Sequence, residues 1–368
     1  MPCAAVPKRF SVGGHTLRDQ NEPDSAFSGQ LLIGGVSVRV SGKRSADVAF
    51  GPSLHPFRNA DKGRDVEIKV EWITQIFPDR GWHAFDSGSV WRLYERNNGF
   101  QFDFSTPNFG EWPYKRLLVD TEFRSGTLQM SEGAFSRCVG SADPLDYPLD
   151  ELLIMHRLTQ EKAIELHGAG IVRADGIGNL FVGHSEAGKS TTTRLWTERE
   201  DVEVLSDDRI IVRRDEVTSV TETPREAAGA ASQHGVLRLR DRSALPTGHF
   251  AQDDRAEKQI PRSARNDKHK MRMYGTPWHG EAMYASPNSA PLARIFVLEH
   301  GHGNVITPLS PSQAVAELFA RSFVPFHRHE YVDSALVFLE ELVEAVPVYR
   351  YSFEPDQRAV DTILHFHD

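Results

Sequence analysis

The chain has 368 residues, of which 39% are hydrophobic and 25% are charged, and its formal net charge is -9. This composition is typical of a globular protein with room for two domains. The negative charge argues against general affinity for nucleic acid or membrane, and two cysteines cannot form a disulfide framework. Because no apolar run approaches the roughly 18 residues of a membrane span and the N-terminus lacks a signal-peptide core, we expect a cytoplasmic protein.

The first part of the chain is rich in strand patterns. Residues 1–28 are polar and predict a loose leader, whereas residues 29–143 contain short runs in which hydrophobic and polar residues alternate. These runs are Val36–Val40, Val66–Trp72, Val90–Tyr94, Phe100–Phe104, Leu117–Phe123 and Thr127–Met130. The pattern predicts a mostly antiparallel β domain, whose many aromatic residues either form its core or line a ligand groove.

The second part of the chain mixes strand and helix patterns. Helical spacing after Leu149 predicts a helix that opens a second domain over residues 149–368. Strands are predicted at Ala163–Val172, Asn179–Val182, Glu203–Asp208, Arg209–Val212, Ala293–Glu299 and Val348–Phe353, and helices near 314–319, 332–343 and 356–366. Residues 221–270 have few apolar runs and predict a mobile insertion, either a solvated loop or a docking arm for an acidic partner.

A glycine-rich loop lies between a predicted strand and a predicted helix. It matches G-x-x-x-x-G-K-[ST], in which two glycines let backbone N–H groups surround an anion, the lysine reaches the β- and γ-phosphates and the hydroxyl binds Mg²⁺. The residues predicted to bind ATP are Gly183, His184, Ser185, Glu186, Ala187, Gly188, Lys189, Ser190 and Thr191. The alternative is a glycine-containing surface turn before a helix.

Two adjacent carboxylates follow the next strand. Asp207 and Asp208 end an apolar run roughly 20 residues after Lys189, where strand ends commonly face a nucleotide. One carboxylate can hold Mg²⁺ and the other can accept a proton from an incoming hydroxyl, and the sequence leaves open which does which. The alternative is an Asp-Asp turn between hairpin strands.

Two further segments carry candidate side chains. His167 precedes Gly168 in a strand expected beside the loop strand, so its imidazole can orient the Asp pair or be an ordinary core residue. The run Gly275–Glu281 offers an imidazole and a carboxylate, so His279 and Glu281 either complete the metal shell or position the acceptor. The alternative is a structural turn anchored by Trp278. The predicted metal ligands are Ser190, Asp207 and Glu281, and the predicted catalytic residues are Asp207, Asp208, His167 and Lys189.

These motifs together resemble a known family. His167-Gly168, the loop Gly183–Thr191 and Leu205–Asp208 occur in the same order and spacing as in the catalytic domain of HPr kinase/phosphorylase. Gly275–Glu281 followed by Pro291–Leu298 resembles the HPr-kinase-related branch of that family. The resemblance covers about residues 149–368. The chain differs from the family by Glu186, where a small residue is usual, and by lacking an Arg-Gly-Leu-Gly sequence.

The resemblance implies a fold and a reaction. The fold would be a mixed α/β sheet flanked by helices, of the type shared with ATP-dependent phosphoenolpyruvate carboxykinase, preceded here by the β-rich domain. Lys189 would bind the β- and γ-phosphates, Ser190 would bind Mg²⁺, and Asp207 and Asp208 would supply metal contact and a general base assisted by His167.

The expected activity is therefore an ATP- and Mg²⁺-dependent kinase that acts on a hydroxyl, with Ser or Thr of a peptide or small protein as the acceptor. We hypothesise that the β-rich domain recognises this acceptor. A small-molecule kinase, a carboxykinase-like phosphotransferase and a non-catalytic nucleotide sensor remain alternatives, and homo-oligomer formation stays open.

Overall fold

The computed structural model describes residues 26–43, 47–59, 63–136, 140–214 and 270–367. They form a mixed α/β structure made mostly of strands, with a few helices. By their contacts they divide into two compact units, the first comprising the described residues up to Glu161 together with Val324–Val332, and the second the remainder. The predicted leader lies outside the described residues up to residue 25, and the predicted insertion over 221–270 lies outside them apart from Lys270.

The first unit is built on one sheet. Its elements are β1 (Phe27–Ile33), β2 (Val36–Gly42), β3 (Val66–Ile73), β4 (Phe85–Asp86), β5 (Trp91–Arg96), β6 (Gly99–Phe104), β7 (Lys115–Val119), β8 (Ser125–Ser131), α1 (Glu132–Phe135) and α2 (Leu149–Leu158). The eight strands follow the order β1-β2-β3-β8-β7-β6-β5-β4, and all neighbours are antiparallel except β2–β3 and β3–β8. The expectation of a mostly antiparallel sheet is confirmed, although β1 begins inside the segment predicted as a leader.

Alternation of side chains explains why these segments are strands. In β3, Val66, Ile68 and Val70 are buried, whereas Glu67 and Lys69 between them are exposed. Successive side chains of a strand point to opposite faces, so this pattern buries one face of the sheet. Residues of β6 are buried on both faces, which places this strand near the middle of the unit.

Helix α2 lies in the first unit, whereas the sequence suggested that it opens the second domain. The physical reason is the packing of His156, whose ring lies 5.2 Å from that of Phe102 and 4.7 Å from that of Phe123, measured between centroids. Both phenylalanines belong to the first unit. The division along the chain therefore falls after Glu161, beyond the helix.

The imidazole of His156 is held neutral in this core. Its Nδ1–H donates to the carbonyl oxygen of Leu152 at 2.7 Å, and its Nε2 has no hydrogen-bond partner among the described residues. Burial, with a contribution from the neighbouring His327, lowers the pKa of His156 to about 3. Burial and the charge of Arg328 lower the pKa of His327 to about 4.

The buried pair His156 and His327 predicts that the fold loses stability in acid. An unfolded histidine titrates near pH 6.5, so below that pH the unfolded chain binds protons that buried His156 cannot, and stability falls as the pH drops toward about 3. Between pH 7.5 and pH 5 the unfolding free energy of wild type should fall, and that of His156→Phe should fall by about 2 kcal/mol less. Urea denaturation at the two pH values measures both changes. The exposed His329→Gln is the matched control and should not change the pH dependence. An equal acid loss in wild type and His156→Phe would contradict a neutral buried imidazole.

The second unit contains the remaining elements. They are β9 (Ala163–Val172), β10 (Gly178–Val182), α3 (Lys189–Thr197), β11 (Glu203–Ser206), β12 (Arg209–Arg214), β13 (Met271–Tyr274), β14 (Ser289–His300), β15 (Val305–Pro308), α4 (Pro311–Phe319), β16 (Ser322–Phe323), α5 (His329–Ala345), β17 (Val348–Phe353) and α6 (Gln357–His365). Helix α5 starts within the residues that group with the first unit.

The sheet of the second unit is mixed. Its main path is β10-β9-β12-β13-β14-β17-β15, with β11 and β16 also paired to β9. Strand β10 lies between β9, to which it is antiparallel, and β14, to which it is parallel. The end of β10 therefore emerges from the interior of the sheet, which fixes the position of the loop that follows it.

Helices α3 and α6 pack on this sheet through one hydrophobic cluster. Its members include Phe181 of β10, Trp196 of α3, Phe296 of β14, Tyr351 of β17 and Ile363 of α6, all nearly inaccessible to solvent. Burial of such large side chains contributes roughly 1.5–3 kcal/mol each, so the cluster holds α3 rigidly behind the loop. Among the described residues, no helix is long and apolar enough to cross a membrane.

Candidate functional site

The glycine-rich loop joins β10 to α3. Gly188, the N-cap of α3, has φ +99°, and Glu186 has φ +68°. A Cβ on Gly188 would lie 2.6 Å from Cζ of Phe353, and one on Gly183 would lie 2.7 Å from Cβ of Ala187. Both glycines are therefore required by the loop conformation and by its close neighbours.

Lys189 turns back into the loop. Its Nζ donates to the carbonyl oxygens of Gly183 and His184, both at 3.0 Å, and the residue is buried. Burial lowers the pKa of Lys189, although the charge of Asp208 acts in the opposite direction. The ammonium group is thus held beside the loop, where an anion bound by the loop would meet it.

Glu186 is the residue that makes this loop unusual. Its side chain is exposed, and its carbonyl oxygen accepts a hydrogen bond from Nε2 of His300 at 2.5 Å. A left-handed conformation is unfavourable for a residue with a side chain, so a bond to this peptide helps to hold it. His300 belongs to no sequence motif, and only the structure shows this contact.

The Asp pair interrupts a strand that runs along β9. Glu203 of β11 pairs with Val172, and Arg209 of β12 pairs with His167. Strands β11 and β12 therefore form one continuous path that runs antiparallel to β9. The N–H of Gly168 donates to the carbonyl oxygen of Asp208 at 3.0 Å. The alternative of a hairpin turn at Asp207 and Asp208 is therefore wrong, because the chain continues along β9 in the same register from Ser206 to Arg209.

Asp208 and His167 face each other across this pairing. Nε2 of His167 donates to Oδ1 of Asp208 at 3.0 Å, and the guanidinium of Arg209 contacts Oδ2. Burial would raise the pKa of Asp208, but the hydrogen bond from His167 and the charges of Arg209, His167 and Lys189 outweigh it, so the pKa is lowered. The carboxylate is thus ionised and has positive groups on several sides.

Asp207 makes a different set of bonds. It is buried, and its two oxygens accept from the backbone N–H groups of Gly280 at 3.0 Å, Ala282 at 2.9 Å and Tyr284 at 3.2 Å. A carboxylate has about four acceptor positions, so three of them are used by this loop. The structure therefore distinguishes the two carboxylates: Asp207 anchors the loop, and Asp208 faces His167.

The remaining predicted ligands are more exposed. Ser190 lies at the second position of α3 with an exposed side chain, and Glu281 is exposed within the loop that Asp207 anchors. Nδ1 of His279 lies 3.1 Å from the carbonyl oxygen of Gly280. Within the described ranges no group of three His, Cys, Asp or Glu side chains is arranged to hold a metal ion.

The strand glycines beside His167 serve the packing of the sheet. A Cβ on Gly168 would lie 2.9 Å from the carbonyl oxygen of Phe181, and one on Gly170 would lie 2.6 Å from Cδ1 of Ile210. The expectation that β9 runs beside the loop strand is confirmed by its antiparallel pairing with β10. The N–H of Gly183 also donates to the carbonyl oxygen of His167 at 3.3 Å, which ties the loop to this strand.

Two arginines near the site were missed by the sequence analysis. Arg209 contacts Asp208, and its guanidinium lies 4.2 Å from the ring centroid of Phe323. The carbonyl oxygen of Arg321 accepts a hydrogen bond from the N–H of His167 at 2.7 Å. The positive charge of the Arg321 guanidinium is the main cause of the lowered pKa of His184. The position of Arg209 directly after the Asp pair was a usable signal, whereas Arg321 follows α4 without any motif.

The fold and the site define a mixed α/β protein with a glycine-rich loop between a strand and a helix. No protein-family model matches the chain, and no curated protein matches it either. Lys189, His167 and Asp208 are the residues whose geometry bears on function.

Proposed function

We propose that the chain is an ATP- and Mg²⁺-dependent phosphotransferase with a catalytic domain of the HPr kinase type. It transfers the γ-phosphoryl group to a hydroxyl, with Ser or Thr of a peptide or small protein as the acceptor. The observation that carries the proposal is the ionised carboxylate of Asp208, hydrogen-bonded to His167 at 3.0 Å and electrostatically coupled to Lys189 of the loop.

The loop supports the nucleotide part of this proposal. Gly188 at the N-cap of α3, the positive end of the helix dipole and the ammonium of Lys189 together favour a polyphosphate. The bonds from Lys189 to two loop carbonyls keep that ammonium close to the loop. This donor set fits ATP.

The oxygen ligands fit Mg²⁺. This ion takes hard oxygen donors and usually binds through one or two carboxylates together with substrate phosphates. The hydroxyl of Ser190 and the exposed carboxylate of Glu281 are such donors, whereas most acceptor positions of Asp207 are used by backbone N–H groups. When bound, the ion neutralises charge that develops on the phosphates.

Proton handling falls to Asp208 and His167. The carboxylate positions the acceptor hydroxyl and takes its proton, while Nε2–H of His167 orients one of its oxygens. A lowered pKa makes Asp208 a weak base, but phosphoryl transfer depends mainly on positioning and electrostatic stabilisation. The guanidinium of Arg209 must leave Oδ2, or share it, for the hydroxyl to approach.

One observation favours a second function, a nucleotide sensor without catalysis. If Arg209 stays paired with Asp208, the carboxylate serves as a fixed counter-charge and no group is free to accept the proton. A small-molecule kinase remains compatible with the same loop.

Incubation of the full chain with γ-labelled ATP, Mg²⁺, a panel of Ser- and Thr-containing peptides and a panel of small alcohols separates these functions. Label on a peptide hydroxyl supports the proposal, and label on a small alcohol supports the small-molecule kinase. ATP binding without transfer to any acceptor supports the sensor.

A further inference from the structure

A groove with a polar floor lies in the first unit, and none of the residues assigned to phosphoryl transfer lines it. Its volume is about 640 Å³, within the range of ligand pockets. The floor is formed by Arg92 and Tyr94 of β5 and Asp103 of β6, and the walls by residues 78–83 and 105–113. Tyr94 and Asp103 are buried although both side chains are polar.

The groove is held in shape by internal bonds. Arg116 donates to both oxygens of Asp103, at 2.6 Å and 2.7 Å, and to the carbonyl oxygen of Phe77 at 2.9 Å. Asp79 accepts from Arg96 and from the N–H of Gly81. These bonds tie the wall over residues 77–81 to the sheet, so a partner would meet a preformed site and lose less ordering entropy on binding.

The charges in and around the groove cancel. Asp103 pairs with Arg116, Asp79 with Arg96, and Arg92 with Asp86 at 2.7 Å. The two other charged lining residues, Arg80 and Glu111, are exposed and opposite in sign. A charged ligand gains little from such a site, whereas an uncharged one can use the hydrogen-bonding groups of its floor.

Exposed aromatic side chains lie in the chain segments that line the groove. We call Phe77, Trp82 and Trp112 the aromatic rim, because each is the direct sequence neighbour of a lining residue. Trp82 is 80% exposed and Phe77 is 65% exposed, and the rings of Phe77 and Trp112 lie 5.0 Å apart. Concentrated exposed aromatic residues with arginines nearby are typical of protein-binding surfaces.

We propose that the groove and its aromatic rim bind an uncharged, apolar-rich segment of a polypeptide partner. The rim would receive apolar side chains, and the polar floor would bond to the peptide backbone. The identification of this partner with the polypeptide that carries the acceptor hydroxyl rests on the proposed function. The groove would then bind the substrate at residues that take no part in phosphate chemistry.

The test is selection of peptides from a random-sequence display library on the full chain, with counter-selection on the double variant Trp82→Ala/Trp112→Ala. We expect enriched peptides with few charged residues that bind Trp82→Ala about tenfold more weakly than wild type. Phe326→Ala, which removes a 65% exposed ring not assigned to the rim, is the matched control and should bind them as wild type does.

Three outcomes would overturn the proposal. They are the absence of enriched peptides, equal binding to wild type and Trp82→Ala, and Trp82-dependent binding of neutral oligosaccharides on a glycan array in place of peptides. Lys189→Ala should keep peptide binding, and Trp82→Ala should keep ATP binding. If the wild-type chain did not bind ATP, that result would count against the proposed function and not against peptide binding by the groove.

Discussion

Replacing Lys189 with alanine is expected to weaken ATP binding by about 100-fold or more, equivalent to about 3 kcal/mol. The physical reason is the loss of a buried ammonium that the loop holds beside its own backbone. A charge-assisted bond to phosphate is stronger in this partly desolvated position than it would be in water. Titration calorimetry with ATP and Mg²⁺ measures the change.

The control for Lys189→Ala is an exposed lysine far along the chain. Lys69, which is 68% exposed at its side chain, lies in the first unit, and Lys69→Ala should bind ATP as wild type does. Thermal melting should show that Lys189→Ala remains folded, because its hydrophobic neighbours are unchanged. Wild-type nucleotide affinity in a folded Lys189→Ala would refute the assignment of the loop to ATP.

Replacing the two adjacent carboxylates is expected to have different consequences, loss of phosphoryl transfer for Asp208 and loss of stability for Asp207. Asp208→Asn should reduce phosphoryl transfer by about 100- to 10,000-fold while ATP binding and melting temperature stay close to wild type. The substitution keeps the size of the side chain and removes the charge that faces His167. Turnover with a labelled acceptor, together with ATP binding, measures the difference.

Asp207→Asn should instead destabilise the fold by about 2–3 kcal/mol. The amide NH₂ of asparagine would face one of the backbone N–H groups of Gly280, Ala282 or Tyr284 that now donate to a carboxylate oxygen. Thermal and urea unfolding measure this loss. If Asp207→Asn melted as wild type and lost only its Mg²⁺-dependent activity, Asp207 would be a metal ligand and the loop would not need it.

The loop illustrates what could be predicted from sequence. The spacing of Gly183, Gly188 and Lys189 predicted a strand, a loop and a helix, and β10 and α3 flank the loop as expected. Local backbone rules are sufficient for this, because the glycine positions and the helix start depend on neighbouring residues. The placement of His167 beside this loop was also correct, since β9 pairs with β10.

The roles of Asp207 and Asp208 could not be predicted in the same way. The two residues are chemically identical, and their difference comes from partners more than 40 or 70 positions away, His167 and the Gly280–Tyr284 loop. Arg321 and His300 were missed for the same reason, since neither belongs to a local motif. The extent of the first unit was also misjudged, because the packing of His156 against Phe102 and Phe123 decides where α2 belongs.

The sequence by itself determined the mixed α/β class, the strands with alternating burial, and the glycine-rich loop before a helix. These features follow from periodicity and backbone preference, which act over a few residues. Only the tertiary structure decided that Asp208 faces His167, that Asp207 holds a loop, and that polar side chains of β5 and β6 line a groove. Those facts depend on which distant strands pair, and pairing is set by long-range burial that no short stretch of sequence encodes.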